Sequence, residues 1–155
     1  VGGTYDRVVS IEMLEAVGEA YWPTYFTNLR QRLKPQGTAV LQVITIDKSR
    51  FDSYRRRPEF IQRYIFPGGM LPTTEILQQQ IEGAGLRLAS SEFFGDSYAL
   101  TLAEWHTRFL NAWPSIAALG FDLRFKRMWE YYLAYCRLGF EIGVLNVGLY
   151  KIERQ

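Results

Sequence analysis

A chain of 155 residues with 48% hydrophobic and 15% aromatic content is long enough for one domain with its own core. Its formal charge of +2 gives no nucleic-acid footprint, its apolar runs fall short of the ~20 residues of a membrane span, and it opens on nothing like a secretory leader. A single cysteine, Cys136, excludes an intrachain disulfide and fits a reducing compartment; with a single histidine, His106, it also argues against structural zinc.

Tyr5 to Ile11 carries the β-branched run Val8, Val9, Ile11 and predicts a buried strand, followed by a loop over Glu12-Met13-Leu14-Glu15-Ala16-Val17-Gly18. Trp22, Tyr25, Phe26, Leu29 and Leu33 recur at helical spacing, with Arg30, Arg32 and Lys34 toward the end that favours cations. Pro35-Gln36-Gly37 stops this helix, and Thr38 to Ile46 is apolar enough for a strand covered on both faces. Strand, helix, strand predicts a parallel crossover. About 47–72 forms an insertion. Its first part is polar, with Lys48, Arg50, Arg55, Arg56, Arg57 and Arg63 among Phe51, Tyr54 and Phe60; it closes on the apolar, turn-rich Tyr64-Ile65-Phe66-Pro67-Gly68-Gly69-Met70-Leu71-Pro72.

Thr73 or Thr74 caps a helix to about Glu82, and Leu86 to Phe94 can be a third strand. A helical pair at about 100–141 follows, the first member broken at Pro114; Cys136 falls on its apolar face as a core residue. Val144 to Ile152 alternates as a last strand. The order is α/β, a single domain over 1–155. No Gly-rich nucleotide loop of the GxGxxG kind occurs.

Four segments, in order along the chain, resemble the C-terminal half of the cyclopropane fatty acid and mycolic acid synthases, class I S-adenosylmethionine-dependent methyltransferases. They are Tyr5 to Ser10 with Met13 to Gly18; Leu33-Lys34-Pro35-Gln36-Gly37; Tyr64 to Pro72; and Arg124 to Leu133. The third is the most specific, since no generic structural demand produces it. The resemblance implies strands four to seven of a seven-stranded Rossmann-like sheet with inserted helices. In that family the first three strands and a Gly-rich loop hold most of the S-adenosylmethionine, so the main cofactor loop would lie outside this chain, and the chain alone would be inactive.

The implied chemistry transfers the sulfonium methyl to an unsaturated acyl chain of a phospholipid, with bicarbonate as the base. Carried over by position, Glu15, Gln42, Ile44 and Tyr98 would form the anion site, and Glu15, Gln42 and Tyr98 would be catalytic. Gln42 stands where the family has a histidine, and Ala16 where it has another. A neutral amide donates a hydrogen bond to an anion but carries neither proton nor charge. Ring closure is therefore one outcome and a methyl branch another.

Arg55, Arg56, Arg57 and Arg63 are read either as a solvated face or as a contact for lipid head groups, with Phe51, Tyr54 and Phe60 at the interface. Some of Phe109, Trp113, Phe125, Trp129 and Tyr132 are expected to line an acyl tunnel, and His106 to be a surface or packing residue. The expected setting is cytoplasmic, peripheral to the inner face of the membrane. No nucleic-acid partner and no metal are expected, and a homodimer could form through the open edge of the first strand. Two alternatives stay open: a methyltransferase of the same fold acting on a small molecule or making methyl-branched fatty acids, and a catalytically inert, membrane-associating or scaffold piece.

Overall fold

The computed structural model describes residues 2–155. In chain order the elements are β1 (Tyr5–Ile11), α1 (Leu14–Val17), a 3-10 turn (Glu19–Tyr21), α2 (Trp22–Arg32), β2 (Leu33–Ile46), α3 (Lys48–Arg56), α4 (Phe60–Tyr64), α5 (Thr74–Gly83), β3 (Arg87–Phe93), α6 (Gly95–Ala118), α7 (Leu123–Glu141) and β4 (Leu145–Glu153). The four strands form one sheet in the order β1-β2-β4-β3. β1 runs parallel to β2, as the crossover predicts, and β3 runs antiparallel to β4. The chain divides into two compact units. One runs to Phe93 and takes in Asn146–Gln155; the other is Phe94–Leu145.

The first unit is built on β2. Ala39, Leu41 and Val43 point to one face and are fully buried, while Val40, Gln42 and Ile44 between them are half-buried. The period of two thus separates a closed face from a partly open one, where the sequence predicted two closed faces. The closed face packs on Trp22, Phe26 and Leu29 of α2, Leu77 and Ile81 of α5, and Tyr150 and Ile152 of β4. Each such side chain contributes about 1.5–3 kcal/mol by leaving water.

Several boundaries differ from expectation. Leu33 belongs to β2 rather than to α2 and is fully buried. The segment Lys34 to Gly37 bulges out of the strand, so that Tyr5 pairs with Leu33 but Arg7 with Thr38. Gln36 takes φ +62° in this bulge. A Cβ on Gly37 would stand 2.8 Å from the Lys34 carbonyl oxygen, which is why the bulge closes on glycine. Thr73, not Thr74, caps α5: its Oγ1 accepts from the Ile76 amide at 3.2 Å.

β1 overturns the expectation of a buried strand. It lies at the sheet edge, with Val9 69% and Ile11 63% exposed. Its apolar run suits a central strand, but no fifth strand covers it among the described residues.

In the second unit α6 and α7 pair as a helical hairpin, burying Ala99 and Leu102 on one helix and Leu133, Cys136 and Phe140 on the other. Cys136 is core, as expected. α6 is not broken at Pro114 but continues to Ala118. The proline removes one amide donor, yet the turn is held by neighbours: the Trp113 ring meets Phe109 and lies under the Lys126 ammonium of α7.

Candidate active site

The site forms where β1 ends beside the last part of β2. Ile11 pairs with Gln42, and the Glu12 amide donates to the Gln42 carbonyl at 2.9 Å. Glu12 then turns at φ +50°, a left-handed conformation costly for a residue with a side chain. That turn starts α1 and sends Glu15 inward.

Glu15 is only 9% exposed. Its Oε1 accepts from the Ile44 amide at 2.6 Å, and its Oε2 is buried with no hydrogen-bond partner. Burial pushes its carboxyl from the usual 4.5 up to about 7; the Ile44 and Glu15 amides pull the other way, and the nearby Glu12 charge adds to the rise. Near neutrality a sizeable share of Glu15 is therefore protonated and offers an O–H. The neutral acid can donate a hydrogen bond to an anion that the ionised form would repel.

The Glu15 charge is felt weakly by three tyrosines. Tyr25, Tyr54 and Tyr150 are all raised, chiefly by burial, Tyr54 and Tyr150 to about 12, and the Glu15 charge adds to each. Tyr25 donates to Ser10 Oγ at 2.7 Å, and the Tyr54 hydroxyl accepts from the Leu71 amide at 3.2 Å. The Tyr150 hydroxyl is buried without a well-formed hydrogen bond, although Thr45 is close enough to ease its ionisation slightly. Sequence reasoning missed these three and Glu12. Tyr25 reads as one more apolar position of α2, and Tyr150 as one more of an alternating strand.

The turn-rich motif serves the same place. The Met70 amide donates to the Glu15 carbonyl at 2.9 Å, and Gln62 Nε2 donates to the Gly69 carbonyl at 3.0 Å. A Cβ on Gly18 would approach the Gly68 carbonyl to 3.0 Å. The Tyr64 to Pro72 stretch is thus the wall that fixes α1.

Of the expected residues, the structure joins Glu15 and Ile44 directly. The Ile44 amide is donated to Glu15. Gln42 is turned to Glu12, its Nε2 donating to Glu12 Oε1 at 2.8 Å. Tyr98 belongs to the helical unit, where its ring meets Phe140 at 5.0 Å and Trp105 at 6.1 Å. Phe109, Trp113, Phe125, Trp129 and Tyr132 contact one another in that unit. His106 is half-buried on α6.

In the polar insertion Arg56, Arg57 and Arg63 are exposed, and Arg55 pairs with Glu19 at 2.9 Å. Phe51 and Tyr54 are not interfacial as expected: Phe51 is buried and Tyr54 serves the loop. The exposed aromatics there are Tyr64 and Phe66. Among the described residues no group of His, Cys, Asp and Glu could hold a metal, and no helix is long and apolar enough to cross a membrane.

A family model described as mycolic acid cyclopropane synthetase matches residues 1–150. The chain belongs to this family. It is 44% identical over its whole length to tuberculostearic acid methyltransferase UfaA1 of Mycobacterium tuberculosis, and 39% identical over 85% of its length to the cyclopropane-fatty-acyl-phospholipid synthase of Escherichia coli. It spans about a third of those relatives, 36% and 33%. Its fold matches 56% of the mycolic acid cyclopropane synthase CmaA1, solved with SAH and CTAB, at a TM-score of 0.89 with 24% identity over 99% of this chain. A sarcosine dimethylglycine methyltransferase structure from Galdieria sulphuraria follows at 0.79 with 16% identity. The sheet is the C-terminal portion of the class I methyltransferase fold.

Proposed function

We propose that the full-length protein is an S-adenosylmethionine-dependent lipid methyltransferase, and that this chain supplies its proton-handling wall. The acceptor is an unsaturated acyl chain of a phospholipid. The observation that carries the reading is Glu15, a buried acid poised near pH 7 with one oxygen unpartnered, in a chain whose curated relatives are named for lipid products.

Methyl transfer to an alkene breaks a carbon–sulfur bond, forms a carbon–carbon bond and leaves a carbocation. That cation must lose a proton from the new methyl group: directly, which closes a cyclopropane, or after a 1,2-hydride shift carries the cation to the methyl-bearing carbon, which leaves a methylene branch. Glu15 holds the proton traffic of this step. Its Oε1 is pinned by Ile44, so Oε2 is the oxygen that gives or takes a proton. The residues fit a bicarbonate ion, since the unpartnered Oε2 is a buried group seeking a partner. Glu15, Gln42 and Ile44 would hold it, and it would supply a base at the reacting carbon. S-adenosylmethionine finds no Gly-rich loop within these residues, so its principal contacts lie outside them. The low-dielectric surround of Tyr25, Tyr54 and Tyr150 keeps water from quenching the cation.

The enzyme would work as a cytoplasmic, peripheral protein at the inner membrane face, with Arg56, Arg57 and Arg63, and Arg55 beside them, attracting anionic head groups. The test is fatty-acid mass spectrometry of a host expressing the full-length protein, beside Glu15→Gln. A gain of fourteen mass units lost in the variant supports the reading, and the presence or absence of a remaining double bond distinguishes methylene branch from ring. Unchanged lipids with soluble protein and ample cofactor would refute it.

A further inference from the structure

The connection between α6 and α7 is an apolar tip. Within five residues Leu119, Phe121 and Leu123 are 79%, 44% and 62% exposed. Single exposed apolar side chains need no explanation, but a cluster of three at one turn does. The tip is well formed. The Leu119 amide donates to the Ile116 carbonyl and the Gly120 amide to the Ala117 carbonyl, each at 3.0 Å. Gly120 reverses the chain at φ +97°. Asp122 accepts from the Phe125 amide at 2.8 Å and so caps α7. The Phe121 ring meets Phe125 at a tilt of 33°, centroids 4.4 Å apart. Immediately behind come Arg124 and Arg127, both exposed and, among the described residues, in no salt bridge.

We propose that this tip is a wedge that inserts into an anionic lipid bilayer; the inference rests on the lipid-acceptor reading and names the element that reaches the lipid. Apolar side chains at the turn and unpaired guanidiniums in the first two turns of α7 match the layering of a bilayer surface. The first enter the acyl boundary, and the second stay at the head groups, each worth about 1 kcal/mol near an anionic surface. The one acidic residue of the tip, Asp122, has its carboxylate committed to the α7 cap. A second copy of the chain is a poorer occupant. A stable dimer buries about 800 Å² per partner, beyond the reach of three side chains, and two such tips would bring like charges together.

The experiment is vesicle flotation of the full-length protein, with phosphatidylglycerol–phosphatidylcholine vesicles against phosphatidylcholine alone. Wild type is compared with L119S/F121S/L123S and with R124Q/R127Q, and thermal melting checks that each variant folds. The wedge predicts at least tenfold weaker binding to anionic vesicles for the triple serine variant. It also predicts several-fold weaker binding and a flatter salt dependence for the double glutamine variant. Wild-type-like flotation of the triple variant overturns it, as does conversion of a dimer to monomer in sedimentation without loss of flotation. Methyl transfer to a short-chain phospholipid below its micelle concentration separates the two proposals. Transfer without tip-dependent flotation sinks the wedge alone, and tip-dependent flotation without transfer to any lipid sinks the lipid-acceptor reading alone.

Discussion

Glu15 sits where its environment and its charge disagree. Its folded value of about 7 stands above the usual 4.5, so between those values the folded chain holds more protons than the unfolded one. Stability must then fall as pH rises through that window, by about 3 kcal/mol once both states are ionised. Asp6, Asp47, Glu75 and Glu153 are all held low by ion pairs or turn contacts. Their contributions are complete above pH 5 and do not mask the effect. Calorimetry should show the chain melting about 5–10 °C lower at pH 8 than at pH 5, and Glu15→Gln should flatten that slope.

Glu12 pays a backbone strain of about 1–2 kcal/mol for its left-handed turn and keeps Gln42 oriented in return. Freed from Glu12, the Gln42 amide can turn elsewhere. On the proposed lipid chemistry, Glu12→Gly in the full-length protein should shift the product between cyclopropane and methylene branch. Glu12→Gln, which keeps an acceptor for Gln42, should leave the ratio near wild type. Gas chromatography of the lipids reads both. The sequence motif led to Glu15. It could not reveal Glu12, because the Gln42 contact depends on strand register rather than on neighbouring residues.

At the scale of elements, local pattern was a good guide where one contact decides the outcome. The amphipathic stripes of α2 and α7, the α5 cap and the alternation of β4 were all legible. It failed where tertiary contacts outvote propensity. Pro114 inside α6 is the clearest case, because the paired α7 and the Trp113 stack hold a turn the sequence alone would end. That turn still lacks one amide donor, so Pro114→Ala should stabilise the chain by about 1–3 kcal/mol, seen as a higher denaturant midpoint.

The β3–β4 pair carries the opposite constraint. Gly148 faces Phe93, and a Cβ there would lie 2.9 Å from the Glu92 carbonyl oxygen and 3.0 Å from the Phe93 ring. That ring also packs edge-on against Tyr150. Gly148→Ala should therefore destabilise by about 1–3 kcal/mol, measured by urea unfolding, by pushing Phe93 off the strand.

For the molecule as a whole, the α/β class, the parallel crossover and the family were readable from composition, order and motif. The open edge of β1 followed from the resemblance, but the exposure of the Val9 and Ile11 side chains did not, because a β-branched run looks the same whether or not a neighbour covers it. Nor was the sheet order readable. β4 lies between β2 and β3, although residues 94–144 separate it from β3 in the chain.

That placement sets a timetable for synthesis. When β3 leaves the ribosome, its partner does not yet exist, and neither do Val147, Tyr150 and Ile152, which complete the core around β2. The helical hairpin, rich in near-neighbour contacts, can form while the sheet waits. During that interval β2 shows an uncovered flank to whatever is near, so the nascent chain is a natural client for chaperones that shield strands.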